Sequence, residues 1–427
     1  MPNVGIHHCA TCHFYQNGGC VIRDIDIDKA QRTGCQNWNG TDKTPVGPVY
    51  SIVEVATKGG LSYALVPYYY GIRVETERSR GGSGLVVSIK DKHGIRHEFP
   101  SLSAYMEFYN RSQTQAHASW DHISWLERFR ARPDGPEHYR SLRREVWQST
   151  VDIVNADRYV SANGHKVHLD ADRQILSRAE SVFYADTRNI HAEPRPMYDT
   201  VCYAIESDCL ETCRLLQLAG FKPAVLNMAN RHNPGGGVVG GSGAQEENIF
   251  RRSTAFRSLY RFASYASQYG LELDARFSYP IPRESGGIYS SGVTVFRSSE
   301  NCGYYLLDVP FMIDLITVPA IANPQTVTRD GKLWIADHLV EPTKEKLRAI
   351  LRIGKVHAHD ALVLSAFGCG AFANPPHHVA RLFREVLNEE EFEKAFRLIV
   401  FAVIDDHNAH REHNPQGNLL PFQEVFN

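Results

Sequence analysis

The stretch KPAVLNMANRHNPGGGVVGGSGAQEEN, Lys222 to Asn248, decides how the chain is read. A short apolar run, Pro223 to Met228, has the length and composition of a buried strand. It opens into Gly235-Gly236-Gly237 and then Gly240, Gly241 and Gly243. Gln245-Glu246-Glu247 follows, at the start of QEENIFRRS, a segment suited to open a helix. Glycines after a strand let backbone N–H groups approach an anion without obstruction. The carboxylates would repel a phosphate. They suit a sugar instead, through hydrogen bonds to ribose hydroxyls or proton transfer at a glycosidic oxygen. The segment lacks the Lys-Ser/Thr ending of a P-loop and the GxGxxG spacing of a dinucleotide site.

Outward from this stretch, strands and helices alternate. DLITVPAI, DALVLSAF and RLIVFAVID read as buried strands. YRSLRREVWQSTVDIVN, PTKEKLRAILRIGKVHA and PHHVARLFREVLN read as helices. VCYAIESDCLETCRLLQLAG reads as a helix running into a Gly220 cap. Such alternation implies an α/β domain with a central sheet, from Tyr139 to Asn427. Ligands in such sheets sit beyond the carboxyl ends of strands. A second glycine loop, Gly368-Cys369-Gly370, follows DALVLSAF there. Two such loops suit the two phosphates of a diphosphate, so the ligand expected is a nucleotide-diphosphate-sugar.

The segment before this domain has a different texture. Cys9, Cys12, Cys20 and Cys35 crowd its start with the spacing C-x2-C-x7-C-x14-C. In a long intracellular chain that cluster points to a structural metal, zinc first, over residues 1–45. An iron–sulfur or redox role for the CxxC pair and plain free thiols stay open. Residues 46–131 are expected to form a small β-rich domain. Alternating β-branched and aromatic residues punctuated by glycines suggest a meander, with a short helix at SLSAYMEFYNRS. Tyr68 to Tyr70 read as sheet residues more readily than as a stacking surface. RPDGPEH, Arg132 to His138, is the expected linker.

The 427 residues carry a formal net charge of -2, with 43% hydrophobic and 22% charged residues. That balance argues against bulk binding to nucleic acid. No apolar run is long enough to cross a bilayer. The start MPNVGIHHCATC has no basic-then-apolar signal pattern, so a cytoplasmic location is expected.

LNMANRHNPGGGVVGGSGAQEENIFRRS closely resembles the GGG-spacer-QEE motif of bacterial-type poly(ADP-ribose) glycohydrolases, a branch of the macrodomain superfamily. RREVWQSTVDIVNADRYVSANGHKVHL, YSSGVTVFR, IDLITVPAIANP, LSAFGCGAFANPPHHVARLF and FAVIDDHN resemble further family stretches in order, covering 139–427. The resemblance implies a three-layer α/β/α macrodomain that hydrolyses the ribose–ribose bond of poly(ADP-ribose), or an ADP-ribosylated target, and releases ADP-ribose. It implies Glu247 as the acid, with a raised pKa, Glu246 on a ribose hydroxyl and Gln245 fixing the pair. It implies a first loop of Gly235, Gly236, Gly237 and Val238, shaped by Asn227 and Asn233. The second loop would be Gly368, Cys369, Gly370 and Ala371, with Phe372 against the distal ribose and Cys369 a small loop residue rather than a nucleophile. Catalysis would need no cofactor or metal. Phe367 stands where tryptophan is frequent and Ser291 where proline is common. The N-terminal extension suggests a protein or nucleic-acid partner. A mono-ADP-ribosyl hydrolase and a non-catalytic ADP-ribose sensor are the alternatives. Arg251 and Arg252 read as solvated residues or as contacts to polymer phosphates.

Overall fold

The computed structural model describes residues 119–131, 135–170, 180–192, 198–406 and 408–427, and the backbone of eight strands between Tyr15 and Phe99. The four N-terminal cysteine side chains, Tyr68 to Tyr70 and the SLSAYMEFYNRS helix lie outside the described residues. The chain divides into two compact units. One comprises Met1–Pro133, Arg158–His168 and Phe296–Pro310. The other comprises Asp134–Asp157, Leu169–Val295 and Phe311–Asn427.

In the first unit, Tyr50–Thr57, Gly60–Pro67, Val74–Arg78, Leu85–Lys90 and Arg96–Phe99 pair antiparallel in chain order. A helix, His122–Arg130, follows, N-capped by the Asp121 carboxylate on Ser124 N–H.

The second unit is built on a mixed seven-stranded sheet. Its strands are β1 (Val182–Tyr184), β2 (Val201–Glu206), β3 (Pro223–Met228), β4 (Gly287–Arg297), β5 (Leu306–Val318), β6 (Ala361–Leu364) and β7 (Leu398–Val403). Their order is β1-β4-β5-β3-β6-β7-β2. β5, β3, β6, β7 and β2 run parallel, and β1 is antiparallel to β4. The central strands are near-continuous apolar runs because both faces are covered. Ala224, Leu226, Ile316, Leu362 and Phe401 join one core with residues of helices α4 (Asp337–Val356), α5 (Pro376–Leu387) and α6 (Leu419–Phe426). The alternate residues Val225, Leu315, Val363 and Val400 are equally buried and point to the opposite face. There α2 (Cys209–Leu218) packs on β3, β6 and β7. α1 (Pro136–Ala156) packs against α3 (Gln245–Arg252).

One expectation needs correction. Val201–Glu206 is a strand parallel to β7, and the helix begins only at Cys209. The run VCYAI has strand composition, and Asp208 starts the helix by accepting from Leu210 and Glu211 N–H groups, each at 3.0 Å. The expected cap holds. Gly220 has φ +86°, its N–H bonds Gln217 O, and Phe221 N–H bonds Leu216 O. The linker reading was too long, since Pro136 already opens α1.

Candidate active site

α3 carries the two carboxylates, and three separate ties fix its position. The Gln245 side chain donates to Leu226 O at 2.7 Å and accepts from Met228 N–H at 2.8 Å. Ala229 N–H points the other way, to Val318 O of β5. By strand alternation, the Gln245 amide therefore lies on the β6 side. It imitates one residue of a parallel neighbour just beyond Val225, the last β3 residue that pairs with β6. At the far end of α3, Arg252 bonds Asp208 at 2.7 Å and Glu211 at 3.1 Å, tying α3 to the start of α2. Arg251 donates to Ser242 O at 2.7 Å and its carbonyl accepts from Thr150 of α1. Both arginines are fully buried, so neither the solvated nor the polymer-binding reading of them holds.

The first glycine loop serves these carboxylates directly. Gly235 N–H donates to Glu246 Oε1 at 3.0 Å, and Gly237 N–H donates to Glu247 Oε1 at 2.9 Å. Gly236 N–H closes a turn on Asn233 O. All three amides are thus taken by protein groups, which corrects the expectation that they cradle an anion. The need for glycine is steric. Gly236 has φ +55°, and a Cβ there would stand 2.5 Å from Glu247 Oε1 and 3.3 Å from Glu246 Oε2. A Cβ on Gly235 would meet the Phe250 ring at 2.7 Å.

The two carboxylates differ in their surroundings. Glu246 accepts from Gly235 N–H, Asn227 Nδ2 at 3.3 Å and Asn230 N–H at 2.7 Å. It is 3% exposed, and burial together with the charge of Glu247 pushes its pKa up to about 8. Glu247 is 7% exposed. Its Oε1 takes the Gly237 amide, and its Oε2 has no hydrogen-bond partner among the described residues. Burial thus raises the carboxyl next to the expected acid.

The second loop follows β6. Gly368 has φ +75°, and a Cβ there would meet Ala320 Cβ at 2.7 Å. Asn374 Nδ2 donates to the carbonyls of Ile321, Gly368 and Phe372 and holds the loop shut. The amides of Gly370, Ala371 and Phe372 meet no acceptor among the described residues, leaving the consecutive donors that suit an anion. Cys369 is fully buried, and burial pushes its thiol well up, away from the nucleophilic thiolate. Phe372 is half-buried beside exposed Ala371. Phe367 is packed in the core, and Ser291 lies in β4.

Asn230 escaped the sequence reading. Its Oδ1 accepts from the N–H groups of His232 and Asn233, an Asx turn that bends the chain between β3 and the glycines. The NRHN run carried that signal. Glu246 also acts electrostatically on Tyr260, Tyr265 and Tyr279, and burial raises all three phenols. Their spacing gives no warning of that convergence. Among the described residues, no group of three or more His, Cys, Asp or Glu could hold a metal, and no helix is long and apolar enough to cross a membrane.

Residues 147–298 match the family described as microbial-type PARG, catalytic domain. Comparison with curated proteins finds no match. The structure is similar to the poly(ADP-ribose) glycohydrolase of Thermomonospora curvata, solved alone and with the inhibitor ADP-HPD. Identity is 27%, over 66% of this chain and 99% of that chain, with a TM-score of 0.51. It also matches the Deinococcus radiodurans poly(ADP-ribose) glycohydrolase in complex with ADP-ribose. There identity is 28%, over 61% of this chain and 98% of that chain, with a TM-score of 0.44. Residues 147–298 thus match the microbial-type PARG catalytic domain, within a mixed α/β domain similar to that of a solved bacterial poly(ADP-ribose) glycohydrolase.

Proposed function

We propose that the chain is a glycosidase that hydrolyses the ribose–ribose O-glycosidic bond of poly(ADP-ribose) and releases ADP-ribose. The observation that carries this reading is the asymmetric carboxylate pair. Glu246 accepts from three N–H donors, while Glu247 accepts from one and keeps an unpartnered oxygen.

Burial and the neighbouring carboxylate raise Glu246 to about 8, so it holds a proton near neutral pH. Glu247 has an oxygen without a protein partner, through which that proton can reach the substrate. Both carboxylates approach one point, the Cβ position of Gly236, within 3.3 Å. They therefore cannot flank a sugar from opposite faces, as the two carboxylates of ordinary glycosidases do. A single-acid reaction follows. Glu247 protonates the leaving ribose oxygen as the anomeric C–O bond breaks through an oxocarbenium-like state. Water then adds to the anomeric carbon, and its proton returns to the carboxylate. One acceptor site remains on Glu246 Oε2, suited to a hydroxyl of the same ribose. The amides of Gly370, Ala371 and Phe372 suit the diphosphate, and Phe372 suits the distal ribose. The domain is read as a macrodomain on this basis.

The test is release of ADP-ribose from poly(ADP-ribose) by the wild type and by Glu247→Gln, with ADP-ribose binding measured alongside. The amide keeps the acceptor for Gly237 N–H and removes the acid. Hydrolysis is expected to fall by at least about 10³-fold with binding retained. Unchanged release by the variant would remove Glu247 from the chemistry. Binding without release by the wild type would favour a sensor.

The finer expectations for the N-terminal segment rest on its sequence. Zinc on Cys9, Cys12, Cys20 and Cys35 is tested by metal analysis of the purified chain. A partner-selecting role is tested by comparing the full chain with one lacking residues 1–130 on polymer and on modified protein.

A further inference from the structure

Lys346 lies on the buried stripe of α4, between Thr343, Leu347 and Ile350, where the helical period calls for an apolar residue. It is 3% exposed, and its Nζ has no hydrogen-bond partner. A buried ammonium without an acceptor is costly and rare. The charged groups that act on it are both cations, Arg231 and Arg283. Arg231 is tied to the segment bearing Arg283, since its Nε donates to Ile281 O and its carbonyl accepts from Ile281 N–H, each at 2.9 Å. Arg231 is half-buried and Arg283 exposed, so the two guanidinium groups reach solvent while the Lys346 ammonium is buried. The nearby carboxylates are engaged elsewhere: Glu284 with Arg188, and Glu345 with Arg348 and Arg352. Burial and the two guanidinium groups lower Lys346 to about 8, which an arriving anion would reverse.

The placement narrows the ligand. Arg231 directly follows Asn230, whose N–H holds Glu246. β3 lies between β5 and β6. The diphosphate loop leaves β6, whereas Arg283 leads into β4 and α4 follows β5. Arg283 thus precedes β4 on one side of β3, and the diphosphate loop follows β6 on the other. A terminal ADP-ribose unit reaching from that loop to Glu247 occupies one side, and the leaving part of the polymer must continue on the other.

We propose that Lys346, Arg231 and Arg283 form a second anion site, which binds the diphosphate of the polymer unit on the leaving side of the scissile bond. The site rests on the glycohydrolase reading for its ligand, and on the unpartnered ammonium for its existence. It grips a substrate with a flanking diphosphate and contributes nothing to one without.

The experiment uses the full chain and Lys346→Met, which keeps the volume and removes the charge. KM is measured for poly(ADP-ribose) and for 4-nitrophenyl-ADP-ribose, which lacks the flanking diphosphate. Inorganic pyrophosphate is then titrated calorimetrically into each protein saturated with ADP-ribose. The expected result is a KM raised about tenfold or more for the polymer, unchanged for the small substrate, and loss of a pyrophosphate site. Arg283→Gln, on an exposed residue, should repeat the polymer effect more weakly if Lys346→Met fails to fold. Equal KM changes for both substrates, or undiminished pyrophosphate binding in the variants, would overturn the site. If the wild type hydrolyses neither substrate, the glycohydrolase reading fails. Lys346-dependent pyrophosphate binding would then still establish the anion site, and its absence would end it.

Discussion

Replacing Gly236 by alanine tests whether the glycine loop exists to admit the carboxylates. An alanine Cβ would stand 2.5 Å from Glu247 Oε1, well inside contact distance. The carboxylate must retreat by about 1 Å to restore an ordinary separation, and a misplacement of that size can lower a rate about 10²-fold. The φ of +55° adds about 1–2 kcal/mol of strain for a residue with a Cβ. That strain lowers the melting temperature by about 2–8 °C and leaves the domain folded. Gly240 supplies the control, because a Cβ there meets nothing within 4 Å and its φ is not positive. Initial rates on poly(ADP-ribose), ADP-ribose binding and thermal melts would be measured for both alanine variants. The expected outcome is a folded Gly236→Ala protein about 10²-fold slower, beside a Gly240→Ala protein near wild-type rate. A folded Gly236→Ala enzyme within threefold of wild type would refute the steric account, as would equal damage from Gly240→Ala.

On the proposed mechanism hydrolysis needs the proton that Glu246 holds, so the rate should fall about tenfold per unit once pH passes about 8, and Glu246→Gln should displace that limb. An unmoved limb in a pH–rate profile would separate Glu246 from the protonation. Because folding raises the pKa of Glu246, its stabilising contribution is full below about 4.5 and is lost as pH rises toward about 8; thermal melts across that window should show wild type losing ground to Glu246→Gln. Arg252→Ala strands Glu211, whose carboxyl burial pushes up to about 7, and should cost about 3–5 kcal/mol in urea unfolding; a loss below 1 kcal/mol would show that the α2–α3 tie is dispensable. Cys369→Ala should keep hydrolysis within about threefold, since the buried thiol is not a nucleophile, and a larger loss would give it a chemical role.

The periodicities of the sequence made β3, β5, β6, β7 and helices α1, α4 and α5 legible, because each is long enough or apolar enough to declare its period. Val201–Glu206 was misread because a strand and a helix abut, separated only by Ser207 and Asp208. The spacing of GGG and QEE located the carboxylates. It could not say that the glycine amides point at them rather than at a ligand, since that depends on how the loop folds back over α3. Arg251 and Arg252 misled for a related reason. Adjacent arginines look like surface residues until Asp208, Glu211 and Ser242 are brought to them by tertiary packing. Lys346 was silent as well, because a lysine in KEKLRAIL is ordinary and only burial without an acceptor makes it unusual.

On the proposed mechanism the glycine loop is part of the acid. Two adjacent carboxylates on the first turn of a helix repel, and burying both would normally be too costly. Here the cost is divided unequally. Glu246 draws three N–H donors from β3, the Asx turn and the first glycine, and becomes the fixed member. Glu247 receives one donor and keeps one oxygen free of protein partners, the oxygen proposed to carry the proton. The division depends on Gln245, whose amide locks the helix start to the edge of β3. Gln245→Ala would leave Leu226 O and Met228 N–H without their partner, about 2–4 kcal/mol of unmet hydrogen bonding. It would also release the register that lets Gly235 and Gly237 meet different carboxylates. Activity should therefore fall more than ADP-ribose binding does, because the second loop does not depend on this tie. Equal losses of rate and binding would mean instead that Gln245 holds the whole cleft.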